Sequence, residues 1–406
     1  MPRESRKSLP ARVLVAGVST RAAAESAARA GFAVTAIDAF GDLDQHASVR
    51  GLSLTRDLGV PVSARSAAHA ARTIDCDAVA YLSSFDNHPG AVTTLAAGRA
   101  LWGNPPAVLR RVRDPMLVAC ALRQRGSAAP GVYTVSGSGP AVVDSPPPRG
   151  DDRRWLVKPL ASGGGHRVRP WRGAMSLPRG CYLQELVDGT PGSVAFVAAG
   201  GRAVPLGVSR QLIGEDAFGV SGYRYCGSIL AAAGDEQFAR DEALVHAACA
   251  MARSVVAEFD LVGVNGIDFV ACQGVPYAIE VNPRWCASME LVEQAYDLPV
   301  FGAHAAACGT GELPEFDLMS ARSGAGAVGK AVVFARRDVA VGDTRAWLED
   351  RSVRDVPHPG ERIRAGRPVC TVFAADRDGA ACHAALVGRA ERVYEQLAAW
   401  EIAADH

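Results

Sequence analysis

The chain has 406 residues, room for roughly two to four domains at about 100–200 residues each. Lys plus Arg and Asp plus Glu both number 43, so no overall field draws the protein onto nucleic acid or an anionic membrane, and a small-molecule partner is favoured. The ten cysteines are scattered without a C-x-x-C pair, and the longest apolar runs fall well short of the roughly 20 residues of a spanning helix, which argues against zinc modules and membrane spans.

The start, MPRESRKSLPAR, is basic but has no apolar signal-peptide core behind it, so a cytoplasmic protein is expected. From there ARVLVAGVSTRAAAESAARAGFAVTAIDAF reads as a buried strand, a turn, an Ala-rich helix ended by Gly31 and a second strand ending at Asp38, a βαβ unit with parallel strands. A dinucleotide site would want G-x-G-x-x-G at the turn; only Gly17 is there, so this region is expected to serve as scaffold or substrate wall. DAVAYLSSFDNHPGAVTTLA continues with a strand, a polar loop of open role and a helix. Gly and three prolines in GNPPAVLRRVRDP (103–115) mark a boundary. A helix follows in PMLVACALRQRG, and 136–154 reads as a polar, Pro-rich surface excursion. Strands dominate from RWLVKPL to YAIEVNPRW, interrupted by a helix at 235–259. A Gly/Ala/Ser stretch at 320–329 marks a second boundary, before further strands and a closing helix. The expected organisation is an N-terminal Rossmann-like α/β domain (1–104), a central domain (105–319) and a small C-terminal α+β subdomain (320–406).

Chemistry concentrates in VNGIDFVACQGVPYAIEVNPRW (264–285), which reads as a hairpin turning at CQGV. Folding about Gly274 sets Asp268 near Glu280, and strand alternation puts Glu280 and Asn282 on one face. Two carboxylates and an amide oxygen in that arrangement need a cation or water, and hard oxygen ligands with few other anchors suit Mg²⁺. Arg284, after Pro283, is placed to stabilise charge on a transferring phosphoryl group, with a surface salt bridge as the plainer reading. In WLVKPLASGGGHRV, Lys158 ends an apolar strand and Ser162, Gly163, Gly164 and Gly165 form a loop able to close over phosphates, although glycine runs also serve as linkers. CYLQELVDGTPGSVAFV offers backbone around Glu185 and Val187 to an adenine edge, or is simply a β-hairpin. In 207–230, Arg210, Gln211, Tyr223, Tyr225 and Ser228 are candidate pocket residues, Arg210 for a phosphate or carboxylate; for the others a solvated loop reads equally well. His304 and Cys308 in HAAAC are the nearest approach to a metal pair, and isolated cysteines more often pack as small hydrophobes.

In this order (strand lysine, glycine-rich loop, hinge, acidic strand, then E-V-N-P-R with an acid twelve residues upstream) the chain resembles the ATP-grasp superfamily over about 105–312. The resemblance implies an ATP-grasp fold behind its usual preceding α/β domain. It also implies ATP, with Mg²⁺ (Mn²⁺ as the alternative) held by Asp268, Glu280 and Asn282, and Arg284 and Arg210 acting at the reacting groups. Lys158 and the 163–165 loop would meet the phosphates, and Gln184, Glu185, Val187 and Asp188 the adenine and ribose. Two departures stand out. Pro115 occupies the place of the lysine that many members carry as D-K, with Arg113 a candidate replacement, and the usual ribose acid after the hinge glycine is absent, leaving Asp188. The chain looks most like the predicted carboligase branch related to biotin carboxylase, though its tail lacks an M-K biotinylation site. The activity implied is formation of an amide between a carboxylate and an amine through an acyl phosphate, on an amino acid or a cofactor precursor, by an enzyme of a kind that often forms homodimers. A bicarbonate-phosphorylating carboxylase and a non-catalytic ATP-binding protein remain the alternatives.

Overall fold

The computed structural model describes residues 12–134, 153–172, 177–238 and 240–404; the basic start and nearly all of the Pro-rich 136–154 stretch lie outside them. The N-terminal region alternates β1 (Arg12–Ala16), α1 (Arg21–Arg29), β2 (Ala33–Asp38), β3 (Val49–Ser53), α2 (Ala64–Ala70), β4 (Ala78–Tyr81), α3 (Pro89–Leu95) and β5 (Ala100–Trp102). The five strands form a parallel sheet in the order β3-β2-β1-β4-β5, as the apolar strand runs and intervening helices require. Asp38 is structural: its buried carboxylate accepts the Thr20 N–H and hydroxyl ahead of α1.

After α4 (Pro106–Val112), Asp114 caps α5 (Pro115–Gln124) by accepting the Met116 and Leu117 N–H groups, and Pro115 opens the helix where its missing N–H costs nothing. A small antiparallel sheet follows, in the order β6-β9-β7-β8, from β6 (Val132–Thr134), β7 (Trp155–Pro159), β8 (Arg169–Pro170) and β9 (Cys181–Glu185). β10 (Thr190–Ala199), β11 (Arg202–Ile213), β12 (Tyr225–Leu230), α6 (Asp241–Phe259), β13 (Gly263–Cys272) and β14 (Val275–Asn282) build the centre of a second sheet and its covering helix. α6 starts at Asp241, later than the pattern predicts, because Arg240 takes a left-handed conformation (φ 57°) and Asp235 is drawn away to accept the Gly379 N–H.

The chain continues through α7 (Met289–Tyr296), α8 (Val300–Gly309), α9 (Leu318–Ser323), β15 (Ala327–Phe334), β16 (Val339–Ala340), β17 (Val353–Arg354), β18 (Arg362–Ile363), β19 (Pro368–Asp376) and α10 (Gly379–Ala404). Its strands β15, β19 and β17 extend the central sheet, whose order is β14-β13-β10-β11-β12-β15-β19-β17. One face of that sheet, through Val197 and Leu206, packs with Met289 and Val292 of α7 in the same apolar core as Val13 and Val34 of the N-terminal sheet. Part of the other face packs on α6 through Phe196, Phe269, Leu244 and Val256. No helix among the described residues is long and apolar enough to cross a membrane.

Candidate active site

Between the small sheet and the large one lies a cavity of about 330 Å³, reached by Lys158, Gly164, Gly165, Gln184, Glu185, Val187, Asp268, Glu280, Asn282 and Arg284. Its acidic wall is the β13–β14 hairpin. The turn is the two residues Gln273 and Gly274, both at positive φ (51° and 80°), as a tight hairpin turn demands. That turn alone would set Asp268 opposite Ile279; a bulge between Asp268 and Phe269 inserts one residue and brings Asp268 opposite Glu280, with Gly266 opposite Asn282. The expected pairing is present, by a route the sequence did not reveal.

Asp268 accepts from Gln211 Nε2 (2.9 Å) and Asn282 Nδ2 (3.0 Å). Burial, reinforced by the charge of Glu280, pushes its carboxyl up to about 6. Burial also works against ionisation of Glu280, but Arg113, Lys158 and Arg284 outweigh it and hold that carboxyl below its ordinary value. Two facing carboxylates, one of them reluctant to ionise, and the Asn282 amide fit a hard divalent cation that supplies the missing positive charge. Among the described residues no three His, Cys, Asp or Glu side chains gather as a metal site, so the set is two acids and an amide. His304 is committed elsewhere: its Nδ1 accepts the Val264 N–H at 2.9 Å, with Cys308 Sγ at 3.9 Å.

The cationic wall comes from three directions. Lys158 Nζ, at the end of β7, donates to Gln184 Oε1 (2.9 Å), and Gln184 Nε2 donates to the Ile279 carbonyl (3.1 Å). Gln184 is thus buried and fully engaged in aiming the lysine. Arg113, at the end of α4, donates to Glu280 Oε1 (2.6 Å), the Val281 carbonyl (3.0 Å) and Asn87 Oδ1 (2.9 Å). Arg284 donates to Asn282 Oδ1 (2.9 Å) and places Nε 3.2 Å from Asp86 Oδ2. The glycine loop is docked on the large sheet: the Tyr225 N–H donates to the Gly164 carbonyl (3.2 Å), and a Cβ on Gly165 would sit 1.7 Å from the Tyr223 carbonyl oxygen. Leu156, Leu186, Val187, Val270 and Ile279 give the opposite end an apolar lining.

Four sequence candidates sit otherwise than expected. Arg210 does not line the cavity; strand alternation turns its neighbour Gln211 inward, and the field of Arg210 is felt instead by Cys382 of α10. Asp188 is an exposed partner of Arg154, at the surface. Gly163 lies just outside the lining, and the Glu185 carboxylate turns away to accept the Gly131 N–H (2.9 Å) while its residue still borders the cavity. Three residues that sequence reasoning passed over do reach the site. Cys286 and Ser288 line it, the Cys286 thiol pushed up to about 12 by burial, and Asp86 stands behind the two arginines.

Residues 114–288 match the family model of the ATP-grasp domain. No curated protein sequence gives a significant match. Among solved structures, the L-amino acid ligase of Bacillus licheniformis superposes with a TM-score of 0.62 at 14% identity, covering 94% of this chain and 97% of that one. A biotin carboxylase complex from Campylobacter jejuni gives 0.66 at 12%, covering 92% and 89%. N5-carboxyaminoimidazole ribonucleotide synthetase of Thermotoga maritima gives 0.62 at 16%, covering 95% and 98%.

Proposed function

We propose that this chain, whose residues 114–288 are an ATP-grasp domain, is an ATP- and Mg²⁺-dependent ligase. It would join a carboxylate to an amine through an acyl phosphate, with an amino acid or a cofactor precursor as the substrate class. The observation that carries the reading is the facing of Asp268 and Glu280 across β13–β14, with Lys158, Arg113 and Arg284 converging on the same space. A half-buried acid pair attended by three cations is matched to a metal-bound polyphosphate. The similarity to an L-amino acid ligase over nearly the full length of both chains supports the same class.

Adenine would occupy the apolar end beside Leu156, Val187 and Ile279, with Lys158 and the loop at Gly164–Gly165 over the phosphates. Asp268, Glu280 and Asn282 would hold Mg²⁺, which supplies charge neutralisation on the phosphates. Arg113 is the cation that takes the place left by Pro115. On nucleotide binding its guanidinium exchanges the Glu280 carboxylate for phosphate oxygen, a planar fork matched to either. The substrate carboxylate oxygen attacks the γ-phosphorus and ADP departs. The amine then attacks the acyl carbon and inorganic phosphate departs, the nitrogen losing its proton. Arg284, fixed by Asn282 and Asp86, stabilises the charge on the group in transit.

The test is incubation with Mg-ATP, hydroxylamine and pooled carboxylates, with bicarbonate alone in parallel, reading ADP and hydroxamate. Hydroxamate from one pool supports the ligase and names the acid. ADP in the bicarbonate tube without hydroxamate replaces it by the carboxylase, and no ADP in any tube, alongside tight Mg-ATP binding, replaces it by a binding protein.

A further inference from the structure

The loop between β4 and α3 belongs to the N-terminal sheet, yet Asp86 in it is only 1% exposed and faces the reaction centre. Its Oδ2 lies 3.2 Å from Arg284 Nε and 3.9 Å from Arg113 Nε. Among the described residues neither Asp86 oxygen makes a directional hydrogen bond, so the two guanidiniums balance its buried charge. The two arginines lie close enough to disfavour each other's charge, and Asp86 is the acid they share. Beyond them the chain of contacts is continuous: Arg113 reaches Glu280, and Arg284 reaches Asn282, which reaches Asp268. The same region clamps the strand end itself, since Tyr81 OH and Asn104 Nδ2 both donate to the Pro283 carbonyl (3.4 and 3.1 Å). The neighbouring Asn87 does something different: its Nδ2 donates to the Ser162 carbonyl (3.3 Å) at the root of the glycine loop.

We propose that Asp86 is a positioning residue of the N-terminal domain that sets the Arg284 guanidinium for phosphoryl transfer by holding it and Arg113 on one buried carboxylate. Without that anchor the two cations separate, and Arg284 keeps only Asn282 and the Trp285 carbonyl as acceptors. The expected loss falls mainly on the chemical step, because Arg284 is used where charge develops, whereas nucleotide affinity is shared among Lys158, the glycine loop, the apolar slot and Arg113, which keeps Glu280, Val281 and Asn87 as partners without Asp86. This inference rests on the ligase reading for its kinetic arm and is independent of it for its binding arm.

In the kinetic arm, ADP formation is followed with hydroxylamine as acceptor. Asp86→Asn is expected to lower kcat by about 10²-fold, the size of loss that follows a small misplacement of a catalytic group, and to leave KM for ATP within about threefold. Because Asp86 acts through Arg284, Asp86→Asn added to Arg284→Ala is expected to cost nothing further; independent roles would multiply the two losses. Asn87→Ala is expected to show the opposite split, raised KM with kcat retained. Multiplying losses, or a KM effect alone in Asp86→Asn, would overturn the proposal. In the binding arm, the affinity for a Mg-bound non-hydrolysable ATP analogue is measured for Asp86→Asn, Arg113→Ala and the double variant. Asp86→Asn is expected to weaken binding by about threefold through Arg113 and to add nothing in the Arg113→Ala background, which supports the shared anchor; a double loss equal to the product of the two refutes it. Wild-type protein that binds the analogue but forms no ADP defeats the ligase reading and leaves the binding arm to decide the role of Asp86.

Discussion

Asp268 offers the sharpest pH prediction. Its carboxyl is pushed up to about 6 by burial and by Glu280, while a Mg²⁺ ligand must be ionised, so proton and metal compete for one group. With a single competing proton, the apparent dissociation constant is multiplied by one plus the ratio of proton concentration to the acid constant. That factor is about 1.1 at pH 7 and about 11 at pH 5, a tenfold weakening across two units. The assay is calorimetric titration with Mg-ADP from pH 5 to 8, after subtracting the nucleotide's own protonation measured without protein. Affinity should be level above pH 7, bend near 6 and fall about tenfold by pH 5. The free protein carries the opposite sign: a raised acid pKa means that this group's contribution to stability is lost as pH rises through about 6, and Mg-ADP restores it. A flat affinity profile over this range would refute both the assignment of Asp268 to the metal and the burial argument behind its shift.

Glu280→Gln removes one of the facing acids yet leaves Arg113 with Asp86, Asn87 and the Val281 carbonyl, so the fold should hold while ATP turnover falls by about 10²-fold or more, read by ADP release alongside a thermal melt. Lys158→Ala should raise KM for ATP about tenfold, the effect of one charge-assisted contact of about 1.4 kcal/mol, because Gln184 aims that ammonium into the cavity; an unchanged KM would remove Lys158 from the phosphates. Arg210→Ala should leave Mg-ADP affinity within about twofold, since its side chain lies outside the cavity lining; a tenfold loss would mean that the strand face has been misassigned.

The parts of the site that were legible in sequence are those carried by short-range geometry. β13 and β14 are joined by a two-residue turn, so the hairpin and the shared face of Glu280 and Asn282 follow from the period of two, whereas Asp268 joins that face only through the bulge beside Phe269. Lys158 was legible for a like reason, as the polar end of an apolar strand. Arg210 was misplaced because the parity of a long strand is not fixed by its composition. β11 carries a register shift against β10 and another against β12, and one step in parity exchanges Arg210 for Gln211. Asp188 sat at the right distance from the hinge but in an exposed loop, where Arg154 takes it. Asp86 was illegible because its partners, Arg113 and Arg284, meet it only once the N-terminal sheet docks on the central one. Buried long-range ion pairs leave no local pattern in sequence.

The proline at 115 shows how one local choice reorganises the site. Asp114 and Pro115 make a strong helix start, a side-chain cap followed by a residue with no N–H to satisfy, and that start puts proline at the position where the lysine is expected. The cation appears two residues earlier, at the end of α4, as an arginine. The exchange is not neutral. An ammonium is a compact charge with three donors, whereas the guanidinium of Arg113 spreads four of its five over Glu280, the Val281 and Ser162 carbonyls and Asn87, touching β14, the glycine loop and the loop after β4 together. On the proposed reading Arg113 would tie the phosphate position to the glycine loop and to the N-terminal sheet, so nucleotide arrival that draws Arg113 off Glu280 would be felt by Asn87 and Ser162. The glycine loop and the acid pair are linked through one side chain, and on the proposed reading Arg113 would supply the phosphate contact of the lysine that position 115 lacks.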